Sequence, residues 1–214
     1  MKVSHIIMKV GNLQKAVEKY REMGFTVEYG SAKNPYNAII YFSDGPYLEL
    51  LASTGMPSFV KRMMRLFGKS ELAERMDTWD SHTEGPCGLA LETYEKNFNR
   101  EKKLLNQANE PYVEMPSRRN DTKGRKLRFT CLFPNNLQIP FLMTYFNIDP
   151  KPQNFVHPNG AKRIRSVAFG TSKEYMPLIC ALCEDPTLVL FEGNQIHSIV
   201  LEYNTGETHI LPQN

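Results

Sequence analysis

The sequence contains no apolar stretch close to the ~20 residues that a membrane-spanning helix requires. Its N-terminus also lacks the long apolar region and small-residue cleavage site of a signal peptide. Cysteine is scarce, at four of 214 residues, and the cysteines have apolar or small neighbours, as reduced core thiols do. Cys180 and Cys183 have C-x-x-C spacing, but no second pair completes a zinc site. We therefore expect no membrane association and a cytoplasmic location.

Strong net charge is absent too, since 26 basic residues nearly balance 23 acidic ones and leave +3. That balance gives no overall field to attract a polyanion. A basic run from Arg118 to Arg128 has no interleaved aromatic residues, so we interpret it as a solvated hairpin loop and expect no nucleic-acid binding. The G-x-S-x-G, H-E-x-x-H, phosphate-loop and dinucleotide-binding motifs are missing, which disfavours acyl hydrolases and nucleotide-dependent enzymes.

Hydrophobic periodicity predicts a β-α-β-β-β unit over residues 1–55. Polar and apolar residues partly alternate from Lys2 to Val10, which predicts a strand. A helix follows, with Asn12 as its N-cap and Gly24 just beyond its C-terminal end. Further strands are predicted over 25–29, 38–42 and 47–51.

The rest of the chain divides into an insertion and two more units. Residues 56–85 predict two helices with apolar stripes and a polar connector. Residues 86–150 repeat the β-α-β-β-β order, and residues 160–214 predict a shortened third unit of β-α-β-β order. A capping box from Thr171 to Glu174 precedes the helix of that third unit. The sequence thus predicts an α+β fold.

Several short motifs resemble one known family. They are Ser4-His5-Ile6-Ile7, Gly11-Asn12-Leu13, Met23-Gly24-Phe25, Asp44 to Leu50, Leu127-Arg128-Phe129, Ile139 to Leu142 and His157 to Ala161. Together they resemble glyoxalase-like proteins of the vicinal oxygen chelate superfamily (glyoxalase/bleomycin resistance/dioxygenase). The resemblance implies paired βαβββ modules whose curved mixed β-sheet surrounds a central cavity, and it makes a homodimer an expectation.

The resemblance also implies metal ligands on the first and last strands of each module. In the first module these positions are His5 and Glu49, a suitable pair for a divalent metal such as Zn, Ni, Mn or Fe. Such a metal acts as a Lewis acid on vicinal oxygens of a substrate. His5 and Glu49 are therefore the expected metal ligands and the expected catalytic residues.

The later units do not supply matching ligands. Gly88, or Cys87 after a slip of one residue, takes the position of His5, and Leu142 or a neighbour takes that of Glu49. The third unit offers Ser166 and Glu202. Because a catalytic centre usually needs three protein ligands, the expected metal site is incomplete.

Period-two spacing puts His5 and Glu49 each on one face of a strand. Three arrangements are compatible with that pattern. The two side chains bind a metal, they hydrogen-bond each other without a metal, or the strand faces that carry them are exposed to solvent. Other side chains with suitable chemistry are His82, Glu92, His157 and His197.

The leading hypothesis is a protein that binds a small oxygenated metabolite in a largely apolar cavity and converts it, as a lyase, isomerase or dioxygenase. His5 and Glu49 then serve as metal ligands, or as a base and its orienting partner. The alternative is a non-catalytic protein of the same fold that sequesters a small molecule, as resistance proteins do. A third hypothesis is an interaction module that docks through the helical insertion.

Overall fold

A computed structural model, which describes residues 1–212, joins the first two units into one eight-stranded mixed sheet. Its strands are β1 (Lys2–Lys9), β2 (Glu28–Tyr29), β3 (Asn37–Ile40), β4 (Tyr47–Leu51), β5 (Gly85–Thr93), β6 (Tyr112–Asn120), β7 (Lys126–Pro134) and β8 (Phe141–Thr144). Their order in the sheet is β2-β3-β4-β1-β5-β8-β7-β6. The sheet curls into an open half-barrel, which confirms the predicted α+β fold class.

The two modules meet along β1 and β5, which pair antiparallel with Ile6 opposite Leu89. In each module the last strand returns beside the first one and runs parallel to it, as β4 does beside β1 and β8 beside β5. Side chains on a strand alternate between the faces of its sheet. The register of β1 and β5 therefore decides which side chains of both modules share a face.

Apolar side chains pack on both faces of the sheet. On the outer face, residues such as Ile6, Leu48 and Leu142 form one cluster with the helices α1 (Leu13–Glu22) and α4 (Asn99–Gln107) and with a second sheet. A smaller cluster on the inner face includes Ile7 and Tyr47. Burial on both faces explains why β3 and β4 have nearly continuous apolar sequences.

The helical insertion consists of α2 (Ser58–Leu66) and α3 (Ser70–Ser81). Leu72, Met76 and Trp79 of α3 pack into the inner-face cluster, as their spacing predicts. The apolar stripe of α2 is different, because Phe59 and Phe67 are largely exposed. The periodicity there predicted a helix correctly but did not identify a buried face.

The third unit comprises β9 (Ala161–Thr171), α5 (Met176–Leu182), β10 (Leu188–Glu192) and β11 (Ile196–Tyr203), with a short extra strand β12 (Thr208–Ile210). Its strands form a separate sheet in the order β10-β9-β11-β12. Here the strand that follows the helix lies directly beside the first strand, so the pairing differs from that of the two modules. The predicted capping box is wrong, because Thr171 ends β9 and the N-cap is Tyr175.

The basic run is not a loop over most of its length. Arg118 and Arg119 lie on β6 and Arg128 lies on β7, and strand pairing continues until Asn120 meets Lys126. The predicted solvated hairpin is therefore confined to the residues between those two positions. The side chain of Arg119 is partly buried and faces the interior of the half-barrel.

Among the described residues, no helix is long and apolar enough to cross a bilayer.

Arg75 fastens α3 to the end of the sheet, which gives a test of the fold. Its guanidinium is buried and donates hydrogen bonds to the carbonyls of Pro134 (2.8 Å), Asn136 (2.7 Å) and Ile139 (3.3 Å). We expect Arg75→Met to lower the free energy of unfolding by on the order of 3 kcal/mol, because buried carbonyls lose their donors. Urea denaturation measures the change. The control Arg62→Met removes an exposed charge from α2, and an equal loss in both variants would contradict the account.

Candidate functional site

The inner face of the half-barrel holds a cavity of about 360 Å³. Most of its wall is apolar or aromatic, with polar groups at a few points of the sheet. The apolar lining includes Ile7, Ile39, Met76, Trp79, Met115, Phe133, Phe141 and Met143, and the polar lining includes His5, Asn37, Glu49 and Arg119. A concave apolar site with a few convergent polar groups is typical of small-molecule binding.

The structure brings His5 and Glu49 together at this cavity. His5 Nε2 lies 3.4 Å from Glu49 Oε2, and the amide of Asn37 donates a hydrogen bond of 2.6 Å to Glu49 Oε1. His5 on β1 is 4% exposed, and Glu49 projects from the neighbouring strand β4. The two side chains are therefore close to each other at the cavity, at a distance longer than a normal hydrogen bond.

A bulge in β1 sets the position of His5. Val3 pairs with Leu91 and His5 with Ala90, so Ser4 is an extra residue in the strand. A bulge bends its strand and redirects the side chains around it. As a result Ser4 Oγ lies 3.1 Å from His5 Nδ1, the nitrogen opposite the one that meets Glu49.

Aromatic rings fix the plane of the imidazole. The ring of Tyr47 stacks on His5 with 4.6 Å between centroids and 12° between planes. The edge of Phe141 meets His5 at a centroid distance of 5.5 Å. The imidazole is thus held in one orientation, with Nε2 directed at Glu49.

Burial dominates the electrostatics of the pair. It lowers the pKa of His5 from 6.5 to about 3, and the positive charges of Arg119 and Lys151 act in the same direction. Burial also raises the pKa of Glu49 against the opposing effects of Asn37 and Arg119. His5 is therefore neutral near neutral pH, while the Glu49 carboxyl holds its proton more tightly than an exposed glutamate does.

In the second module, large side chains occupy the positions that correspond to His5 and Glu49. A Cβ atom on Gly88 would lie 3.0 Å from Trp79 Nε1 and 3.1 Å from Ile7 Cδ1, so the indole occupies the space that a ligand there would need. Leu142 or a neighbour was the expected counterpart of Glu49, and Leu142 itself faces the outer cluster. Its neighbour Phe141 faces the cavity instead, because a shift of one residue reverses the face of a strand.

These residues do not fit a resident metal ion. Within residues 1–212, no group of three or more His, Cys, Asp or Glu side chains is placed to hold one. His5 and Glu49 supply two donors, and a catalytic centre of this kind needs about three. Ser166 and Glu202 lie on the separate sheet, where Glu202 accepts a hydrogen bond of 2.8 Å from Arg163.

The other candidate side chains do not line this cavity. His82 Nδ1 lies 2.7 Å from the Thr83 carbonyl, and His197 is exposed on β11. Glu92 is buried on β5, and the Oε2 atom of its carboxyl has no hydrogen-bond partner among the described residues. His157 accepts a hydrogen bond of 3.0 Å from the backbone of Thr26 and serves to pack the outer face.

The sequence interpretation missed Arg119. Its guanidinium donates to the Gly30 carbonyl at 3.0 Å and to the Tyr41 hydroxyl at 2.5 Å. The alternation of residues along β6 could have identified it. Met115, Ser117 and Arg119 are two positions apart, lie on one face of the strand and line the cavity. Treating the basic run as one solvated loop concealed that alternation.

The burial of neutral His5 predicts a specific pH dependence of stability. Its pKa is lower in the folded state than in the unfolded chain, so only the unfolded chain gains a proton as the pH falls below about 6.5. Stability contributed by neutral His5 is therefore lost towards acid pH, at up to ~1.4 kcal/mol per pH unit. Compared with the wild type, His5→Gln should have a shallower loss of unfolding free energy between about pH 6 and pH 4. Urea denaturation across that range measures it, and parallel curves would contradict the account.

The contact between Gly88 and Trp79 predicts that even a methyl group is costly. Gly88→Ala should lower the free energy of unfolding by ~1–3 kcal/mol, because the added Cβ overpacks against the indole. In a Trp79→Phe background the same substitution should lower the free energy of unfolding by less, because the phenylalanine ring has no atom at the position of Nε1. A double-mutant cycle from urea denaturation measures this coupling. Strictly additive costs would show that Trp79 does not fill the position.

Several solved structures align with the chain, and one of them has a similar fold. A crystal structure of a hypothetical protein from Staphylococcus aureus aligns with a TM-score of 0.60 at 15% identity, covering 100% of this chain and 86% of that one. A variant of Streptomyces coelicolor methylmalonyl-CoA epimerase, in complex with 2-nitronate-propionyl-CoA, aligns with a TM-score of 0.41 at 19% sequence identity. The alignment covers 67% of this chain and 95% of that one. A glyoxalase I mutant from Zea mays aligns with a TM-score of 0.38 at 12% sequence identity, covering 97% of this chain and 66% of that one.

No curated protein matches the chain significantly. The model of one family does match, and it does so over residues 3–176, which include both modules, the helical insertion and the start of the third unit. The matched segment contains the cavity with His5 and Glu49. The chain belongs to the glyoxalase-like domain family.

Proposed function

We propose that the protein binds a small oxygenated molecule in the inner-face cavity and holds an oxygen of that molecule at His5 and Glu49 without a metal. The observation that carries the proposal is the buried contact of these two side chains in the floor of an apolar cavity. At about 360 Å³ the cavity lies at the small end of the range for ligand sites. An occupant with a carbonyl or hydroxyl group on an apolar body matches that lining.

The geometry of the pair allows one ligand oxygen to lie beside both side chains. The 3.4 Å separation of His5 Nε2 and Glu49 Oε2 is longer than a normal hydrogen bond of 2.7–3.2 Å. A buried carboxyl group is costly unless its oxygens are well partnered, and Asn37 satisfies Oε1 rather than Oε2. A ligand hydroxyl or carbonyl oxygen that lies beside the pair, on the cavity side, completes the hydrogen bonds of the two side chains.

Chemical conversion at this pair takes the form of proton transfer. The carboxylate form of Glu49, whose pKa burial raises, accepts a proton from a carbon beside a carbonyl of the bound molecule and returns it to a neighbouring atom, while neutral His5 orients the carboxyl group. Movement of a proton next to a carbonyl is the core of many isomerase and lyase reactions. Of the three reaction classes expected from the sequence, these two are the ones that the side chains present support by themselves.

A second candidate function is sequestration without chemistry. It is favoured by Trp79 and Phe141, which convert the second module's ligand positions into an aromatic wall. Such a wall contributes binding through apolar burial but offers no proton or metal. In this function His5 and Glu49 orient the bound molecule only.

Thermal stabilisation by ligands tests the binding site. A ligand present at ~100 times its Kd adds about 2.7 kcal/mol to the free energy of unfolding, which raises Tm by roughly 5–10 °C for a chain of this size. Hits from a panel of small hydroxy and oxo compounds should lose most of that shift in His5→Ala and in Glu49→Ala. Glu184→Ala, which removes an exposed carboxylate elsewhere, is the control. Unchanged shifts in both site variants would show that the pocket is placed wrongly.

Incubating each hit with the protein separates the two functions. Product formation followed by ¹H NMR, lost in Glu49→Ala, supports isomerase or lyase activity. Binding with no change of the molecule supports sequestration. A homodimer and a cytoplasmic location stay predictions from the sequence.

A further inference from the structure

Arg119 links the two edges of the eight-stranded sheet. It projects from β6 at one edge, and its Nη1 donates to the carbonyl of Gly30, the residue that follows β2 at the other edge. Lys123 makes a second link, with Nζ 3.3 Å from a carboxylate oxygen of Glu28 on β2. Because the half-barrel curls until its edges meet here, Arg119 is held at the wall of the cavity rather than in open solvent.

The positive charge of Arg119 has no acidic partner. Over the described part of the chain, its polar contacts are the Gly30 carbonyl and the Tyr41 hydroxyl, and no carboxylate oxygen lies within ion-pair distance of it. Tyr41 does not supply a negative charge, since burial raises its pKa to about 12. The partly buried Arg125, by contrast, is paired with Asp121 at 2.6 Å. The buried Arg75 also lacks a carboxylate partner, but three backbone carbonyls accept its hydrogen bonds.

The guanidinium also keeps unused hydrogen-bond donors. A guanidinium has five N–H groups in a fixed plane, and the contacts with Gly30 and Tyr41 use two of them. The ring of Phe146 lies 5.7 Å from Arg119 Cζ and supports that plane from one side. A guanidinium that is fixed in place, partly desolvated and left with free N–H groups is suited to bidentate binding of a planar anion.

We infer that the molecule bound in the cavity carries a carboxylate, which pairs with Arg119. This inference rests on the proposed binding function and specifies its ligand class. A single carboxylate matches the single positive charge of Arg119 and its unused N–H donors. With the carboxylate at Arg119 and an oxygen at His5 and Glu49, the ligand is a hydroxy or oxo acid with an apolar body.

Matched pairs of probes test this inference. The probes are mandelate, 3-phenyllactate and benzoylformate, each compared with its neutral primary amide. Isothermal titration calorimetry on the wild type should give at least tenfold tighter binding for the carboxylate of a pair. In Arg119→Gln that preference should fall to near unity, because the partner of the carboxylate is gone. Arg128→Gln removes the same charge from the neighbouring strand, outside this cavity, and should keep the preference.

Arg119→Lys guards against misfolding of the glutamine variant. It keeps the charge but loses the planar fork, so a reduced preference that remains above unity supports the inference. Equal binding of acid and amide by the wild type would overturn the inference and leave the proposed pocket intact. A preference that persists undiminished in the Arg119 variants would also overturn it. If no probe of either charge binds the wild type, the proposed function fails together with the inference.

Discussion

The antiparallel pairing of β1 with β5 is the interaction on which the cavity depends. Backbone hydrogen bonds between these strands join two four-stranded modules into one curled sheet, so residues more than eighty positions apart share one inner face. Its register places His5 opposite Ala90 and Ile7 opposite Gly88. The bulge at Ser4 then directs the imidazole towards Glu49 on the next strand. A slip of one residue would exchange the inner and outer faces and remove the site.

The two modules contribute unequally to that site. The first supplies three of the polar groups, with Glu49 next to both His5 and Asn37, whereas Arg119 comes from the second. The second supplies apolar bulk, since Phe141 faces the cavity beside the imidazole and Trp79 from the insertion covers Gly88. Removing water from the polar pair is what shifts both pKa values towards neutral side chains. The same bulk that fills the implied ligand positions thus gives His5 and Glu49 their acid–base character.

Local patterns predicted the fold well, because the strands and helices are long enough for period two and period 3.6 to be visible. The strand from Tyr47 to Leu51 and the face of α3 that carries Trp79 are examples. Faces set by register were harder to predict, so the sequence left Leu142 or a neighbour as the counterpart of Glu49, and the residue that faces the cavity is Phe141. The alternation along β6 indicates the inner face for Arg119, but no local pattern identifies its partners Gly30 and Tyr41, which come from the opposite side of the sheet and meet Arg119 only when the half-barrel curls. His5 and Glu49 were found from a family resemblance, and their shifted pKa values follow from packing that no motif encodes.

The central claim is that the inner-face pocket works through His5 and Glu49 without a resident metal. Metal analysis by inductively coupled plasma mass spectrometry tests it most directly, on protein purified without chelator and on protein incubated with Zn, Ni, Mn or Fe(II). The account predicts far less than one equivalent of any of these metals, with the same background in His5→Ala. One equivalent of a single metal in the wild type, lost in His5→Ala, would contradict it.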